Sequence, residues 1–185
     1  MEIRLEQLVV RLEQKDDYRE VENLTREAFW DVYRPGCSEH LVLHKLRNAK
    51  SFISDLDYVF VVDKKIIANI VYTKMFNEKG EMLNDVIAFG PISVHPEYQK
   101  RGIGKKIIEI SINRAKELGY KAVLITGNDK FYNPLGFEGA YKYGVTLPGM
   151  SVEDKAEFFM AMELEKGYLS KHSGVYNFDS LFNVT

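Results

Sequence analysis

The stretch Ser93–Lys106, "SVHPEYQKRGIGKK", decides how this chain is read. It sets four lysines and arginines around two glycines where a β-rich run gives way to a helical one. A strand is expected to end near Val94 and a helix to begin near Gly102. The first amides of a helix lack intrahelical acceptors, and with the helix dipole they attract an anion. Glycines at 102 and 104 let a bulky anion approach the backbone. Lys100, Arg101, Lys105 and Lys106 add positive charge, so a phosphate or pyrophosphate is the expected guest. Two familiar nucleotide loops do not fit. The Walker pattern needs Ser or Thr after its lysine, and Lys106 follows Lys105; the dinucleotide pattern needs a third glycine, and Ile107 stands there. On the bare Gly-x-Gly, a plain glycine turn beside a solvated basic helix start stays open.

Outward from this turn, the pattern is that of one mixed α/β domain. Residues 8–13 and 58–62 ("YVFVV") read as strands, as do 66–72, 86–94 and 122–126 ("AVLIT"). Residues 158–164 form a last strand. Asp17 followed by Glu20 marks a helix start, and Val21, Leu24 and Ala28 recur at helical spacing up to about Trp30. Ser38 is expected to cap a second helix carrying Leu41, Leu43 and Leu46. A third spans 104–118, with Ile108, Ile112, Ala115 and Leu118 on one face and Gly119 as its C-terminal stop. Residues 129–135 form a short helical turn. Strands in meander followed by a βαβ unit indicate a mixed sheet.

The bulk numbers exclude several classes. The 185 residues carry a net charge of -2, so no basic field attracts nucleic acid. The single cysteine, Cys37, forms no disulfide within the chain and no cysteine zinc site, and no metal is expected. The charged N-terminus lacks a signal peptide's apolar core, and no apolar run approaches the ~20 residues of a membrane span. The expectation is a cytoplasmic protein that binds neither membrane nor nucleic acid.

The segment "ISVHPEYQKRGIGKKII" resembles the acyl-CoA signature of the GNAT superfamily of N-acetyltransferases, in particular a branch of small uncharacterised bacterial members. The core of the signature is matched by Gln99-Lys100-Arg101-Gly102-Ile103-Gly104, and the resemblance extends from about residue 8 to 164. It implies a mostly antiparallel central sheet flanked by helices, with a domain over 1–164 and an extension over 165–185. The extension packs on that domain or on a second copy in a homodimer; both stay open.

The resemblance implies acetyl-CoA as cofactor. Its pantetheine would pair with the strand at Ile92, Ser93 and Val94, and its pyrophosphate would sit on the amides from Lys100 to Lys105, with Gln99 and Ile103 in the same loop. Pro91 agrees, since a proline cannot donate to a ladder and prefers an edge or bulge. Asn128 would contact pantetheine and Tyr132 would serve as the acid beside the sulfur. A phenol near pKa ~10 suits protonation of a thiolate whose acid lies near ~8.5. Only three residues separate Asn128 from Tyr132, fewer than is common in the family. The bland reading of Tyr132 is a core tyrosine packed on Phe137.

The implied reaction is direct attack of a small-molecule or peptide amine on the acetyl thioester. Many relatives carry a basic glutamate on the strand after the cofactor helix, but "AVLITG" has no carboxylate. His44, Glu27, Asp85 or a water relay are the alternatives. Phe29, Trp30, Tyr33 and Arg34 are candidates to shape the acceptor pocket, with packing in the core as the bland reading of the aromatics. A catalytically silent acyl-CoA-binding sensor is the competing reading.

Overall fold

Secondary structure and packing are described for residues 8–183 of a computed structural model; the first seven residues of the expected domain and the last two of the expected extension lie outside this range. The chain divides into two compact units. One comprises the chain up to Tyr72, Gly90–Ile112 and the segment from Leu181; the other comprises Thr73–Phe89 and Asn113–Ser180.

The first unit begins with β1 (Val9–Leu12), paired antiparallel to β2 (Tyr58–Val62), which pairs antiparallel to β3 (Lys65–Asn77). Between β1 and β2 lie α1 (Tyr18–Phe29) and α2 (Glu39–Leu46). Val21 and Leu24 of α1 and Val42, Leu43 and Leu46 of α2 are buried with Val59, Ile66 and Val71 of the strands. Burying each such side chain contributes roughly 1.5–3 kcal/mol. The buried triplet on α2 corrects the expected one: Leu41 is exposed and Val42 replaces it. Ser38 does not cap α2 through its hydroxyl, which instead accepts from Arg34. Asp17 stands at the start of α1 but likewise makes no side-chain cap bond to it. It accepts the Gln14 amide at 2.8 Å and holds Arg11 at 2.5 Å.

A buried polar cluster sits in this unit. Arg47 grips Glu13 with two nitrogens, at 3.0 and 2.6 Å, and reaches Glu22 at 2.6 Å. Its guanidinium lies 4.0 Å from the centre of the Tyr18 ring. Asp57, itself buried, accepts from Asn69 at 3.2 Å and is hydrogen-bonded to Glu13.

Two strands run through both units: β3 and β4 (Met82–Val94). β3 is buried from Ile66 to Thr73, as a strand covered on both faces is. Both are longer than the sequence suggests, because Lys74, Asn77, Asn84 and Asp85 interrupt the apolar runs. Asn77 closes the turn between them, its side-chain oxygen accepting the amides of Lys79 and Glu81. α3 (Ile103–Glu117) also spans both units and buries Ile107, Ile108, Ile112 and Ala115; Leu118 is exposed, against expectation.

In the second unit β4 pairs parallel with β5 (Ala122–Thr126) through Val86, Ile87 and Ala88. The chain continues through α4 (Asp129–Tyr132), β6 (Glu138–Gly139), β7 (Val145–Thr146) and β8 (Phe159–Glu163). β8 pairs antiparallel with both β5 and β6. The sheet is therefore mixed and mostly antiparallel, as expected. The tail folds as α5 (Tyr168–Lys171) and β9 (Gly174–Asn177). β9 lies antiparallel to the end of β3 and parallel to β7. Met75, Val86, Leu124, Phe159, Leu169 and Tyr176 are among the buried residues of this core.

Candidate functional site

In the first unit, the residues from Ile92 to Lys105 form one continuous structure. Ser93 is buried, and its hydroxyl donates to Thr25 of α1 at 2.9 Å. This side chain anchors the strand, while Ile92 and Val94 on the alternate face are only half-buried. Gln99 folds back, its amide nitrogen donating to the Val94 carbonyl at 3.1 Å. Between them His95 and Pro96–Tyr98 make a tight turn, the Glu97 amide donating to His95 Nδ1 at 3.3 Å. The His95 amide donates to Ile67 at 2.9 Å, tying the end of β4 to β3. Its Nε2 faces Glu27 at 3.4 Å and Lys65 at 3.0 Å.

The backbone then turns left-handed twice, at Lys100 (φ 59°) and Gly102 (φ 80°). Such alternation gathers successive amides into a concave anion site. The Lys106 amide donates to the Gly102 carbonyl at 3.0 Å, closing the first turn of α3. The amides of Ile103, Gly104 and Lys105 therefore precede any acceptor within α3. A Cβ built on Gly102 meets no atom within 4 Å, so the space there is open. Lys100, Arg101, Lys105 and Lys106 are exposed, and the Arg101 guanidinium lies 5.8 Å from the Tyr98 ring centre. Ile103 is buried and contributes to the loop through its backbone only. Ser111, one turn beyond Ile108, bonds the buried Tyr72 hydroxyl at 2.8 Å and holds the helix in place. This donor set fits a diphosphate.

Asn128 and Tyr132 lie in the second unit. The Asn128 side-chain oxygen caps α4, accepting the Lys130 amide at 3.0 Å. Tyr132 is half-buried. Its ring centre lies 6.0 Å from Phe89, 4.9 Å from Phe131 and 5.8 Å from Phe137. The packing on Phe137 foreseen in the bland reading is present, and it leaves the ring partly exposed.

The candidate bases have partners already. His44 is exposed and pairs with Glu22 at 2.9 Å. Glu27 faces His95. Asp85 accepts from Tyr168 at 3.2 Å, and that phenol is pushed up to about 12 by burial and the Asp85 charge. Trp30 and Tyr33 are 56% and 78% exposed, so these two aromatics are not core. Phe29, half-buried, packs on Tyr33 with ring centres 6.3 Å apart. Cys37 contacts His40 Nδ1 at 3.5 Å, and burial raises its thiol above the ordinary value, which argues against a nucleophile. Among the described residues, no group of His, Cys, Asp and Glu is arranged to hold a metal, and no helix is long and apolar enough to cross a membrane.

A family model described as "Acetyltransferase (GNAT) domain" matches residues 55–139, which include both the amide turn and Tyr132. That stretch is similar to a GNAT acetyltransferase domain. Over 176 residues the chain is 23% identical to the uncharacterised N-acetyltransferase YhbS of Escherichia coli, covering 95% of this chain and 99% of that protein. A shorter match, 32% identical over 75 residues, joins it to the uncharacterised N-acetyltransferase YjhQ of the same organism, covering 40% of this chain and 41% of that one. Among solved structures, E. coli YhbS in complex with CoA superposes with a TM-score of 0.82 at 22% identity, covering 96% and 93% of the two chains. A Brucella melitensis GNAT acetyltransferase in complex with acetyl-CoA gives 0.76 at 20%, covering 95% and 97%. The fold is that of the GNAT acetyltransferases.

Proposed function

We propose that this chain moves an acetyl group from acetyl-CoA to a primary amine, on a small molecule or a peptide, by direct attack. The turn from Gln99 to Lys105 carries the proposal: two left-handed residues, open space at Gly102 and amides without intrahelical acceptors at the start of α3 suit the diphosphate of coenzyme A. Relatives of the same fold crystallised with CoA and acetyl-CoA support that choice over other phosphates.

Acetyl-CoA supplies an acyl carbon activated by a thiolate leaving group. In this reading Ile92, Ser93 and Val94 present backbone groups to pantetheine, and a backbone amide near Val94 stabilises the charge that develops on the acyl oxygen. The amine forms its C–N bond as the C–S bond breaks and the electron pair leaves on sulfur. Tyr132 gives its phenolic proton to that sulfur. The amine's extra proton goes to water, since Glu27, His44 and Asp85 are engaged elsewhere.

Calorimetry with CoA and a thiol-release assay with a polyamine, an arylalkylamine and a peptide amine test the proposal. Binding plus thiol release for at least one amine supports it. Tight binding with no release would favour an acyl-CoA sensor, the reading that the carboxylate-free β5 keeps in play. Absence of binding would remove both.

A further inference from the structure

We infer that Gly127 is a positioning residue for Tyr132: its missing side chain sets where the phenol ring lies. The inference rests on the role proposed above for Tyr132. Gly127 follows β5, and its amide donates to the Phe158 carbonyl at 2.9 Å, so its place is fixed by the adjoining strand. A Cβ built on Gly127 falls 2.6 Å from Tyr132 Cε2, 3.3 Å from Cδ2 and 3.6 Å from Cζ. The ring edge thus lies directly over the Gly127 backbone. Unlike Gly102, Gly127 has no left-handed φ, so its backbone accepts other residues. Only the ring excludes them.

Aromatic neighbours limit how the ring gives way. Phe89, Phe131 and Phe137 flank it, with Phe89 and Phe137 themselves buried. Its own backbone is held as well, the Tyr132 amide donating to Asn128 at 3.2 Å in the turn capped by Asn128. Restoring ordinary contact, 3.4 Å, from 2.6 Å requires a shift of 3.4 - 2.6, about 0.8 Å. A misplacement near 1 Å costs a reaction of this type about 10²-fold.

The test compares the full-length wild type, Gly127→Ala, Tyr132→Phe and the double variant. Thiol release from acetyl-CoA is followed with whichever amine of the panel the wild type acetylates. The expected result is a kcat lower by about 10- to 100-fold in Gly127→Ala, with the KM for acetyl-CoA unchanged. In the Tyr132→Phe background the same change costs little more, because the hydroxyl through which it acts is gone. Wild-type kcat in Gly127→Ala, or full additivity in the double variant, overturns the inference.

A second readout does not need turnover. The ring signals of 13C-labelled tyrosine, with Tyr132 identified by its loss in Tyr132→Phe, shift in Gly127→Ala. Unmoved signals overturn the inference by themselves. A wild type inert toward every amine sinks the acetyltransferase reading instead, and the ring signals still decide where Gly127 puts Tyr132. If Gly127→Ala folds poorly, its melting temperature recovers in Tyr132→Ala, since the obstructing ring is removed; no recovery counts against the inference.

Discussion

Replacing Asp57 by asparagine removes a pH dependence of stability that the wild-type chain carries through the neutral range. Asp57 is 4% exposed, and the Glu13 side chain beside it has no exposure. One cation, Arg47, serves this pair, and both of its short contacts to it go to Glu13. Burial, and then the hydrogen bond and charge of Glu13, push the Asp57 acid up to about 9 from an ordinary 3.8. At neutral pH the folded chain therefore keeps a proton on Asp57 that the unfolded chain has released. Folding takes up that proton, so this contribution to stability is full below pH ~4, falls as pH rises, and is lost once pH passes about 9. The slope is at most about 1.4 kcal/mol per pH unit, or about 2.7 kcal/mol between pH 6 and 8. Asparagine has the same shape and no charge; its nitrogen donates to Glu13 as the acid did, and its oxygen still accepts from Asn69. Urea unfolding of both proteins at pH 6, 7 and 8 gives the comparison, in which titrating groups away from this pair cancel. The wild type should lose stability relative to Asp57→Asn as pH rises. A difference that stays flat across these values would refute the shared proton.

Arg47→Met is expected to cost about 3–5 kcal/mol in chemical unfolding, because it leaves the Glu13 charge buried without its cation. Gly104→Glu should abolish CoA binding in calorimetry, since a carboxylate would stand among the amides that open α3; unchanged affinity would count against that turn as the diphosphate site. Tyr132→Phe should lower kcat by about 10²- to 10⁴-fold while the CoA dissociation constant stays within twofold, and undiminished turnover across pH would remove Tyr132 from the reaction.

What was legible in the sequence followed from chemistry that demands particular residues at particular spacing. The turn at Gly102 is such a case, because its left-handed backbone favours glycine. β5 was legible as "AVLIT" because it is buried over nearly its whole length. The phase of α2 was not: over eight residues, Leu41, Val42, Leu43 and Leu46 fit two faces almost equally well, and packing chose Val42. The start of β4 was hidden because Met82–Asp85 is largely exposed and reads as loop. The burial of Glu13 was not legible, since Arg47, which pairs with it, lies 34 positions away.

The two glycines of the proposed machinery show how a letter can conceal its reason. Gly102 is required by its backbone: φ is 80°, a conformation that costs an ordinary residue roughly 1–2 kcal/mol, although the space around it is open. Gly127 is required by space alone, its backbone being ordinary and its vacant side crossed by the Tyr132 ring. The first demand is local and can be suspected from a Gly-x-Gly beside basic residues. The second depends on where a ring five residues later turns back, so "TGNDKFY" gives no hint of it. A left-handed turn can tolerate asparagine, which adopts that conformation more readily than most residues. The place beneath Tyr132 accepts a side chain only if the ring moves, and so constrains the sequence more tightly than the conspicuous motif does.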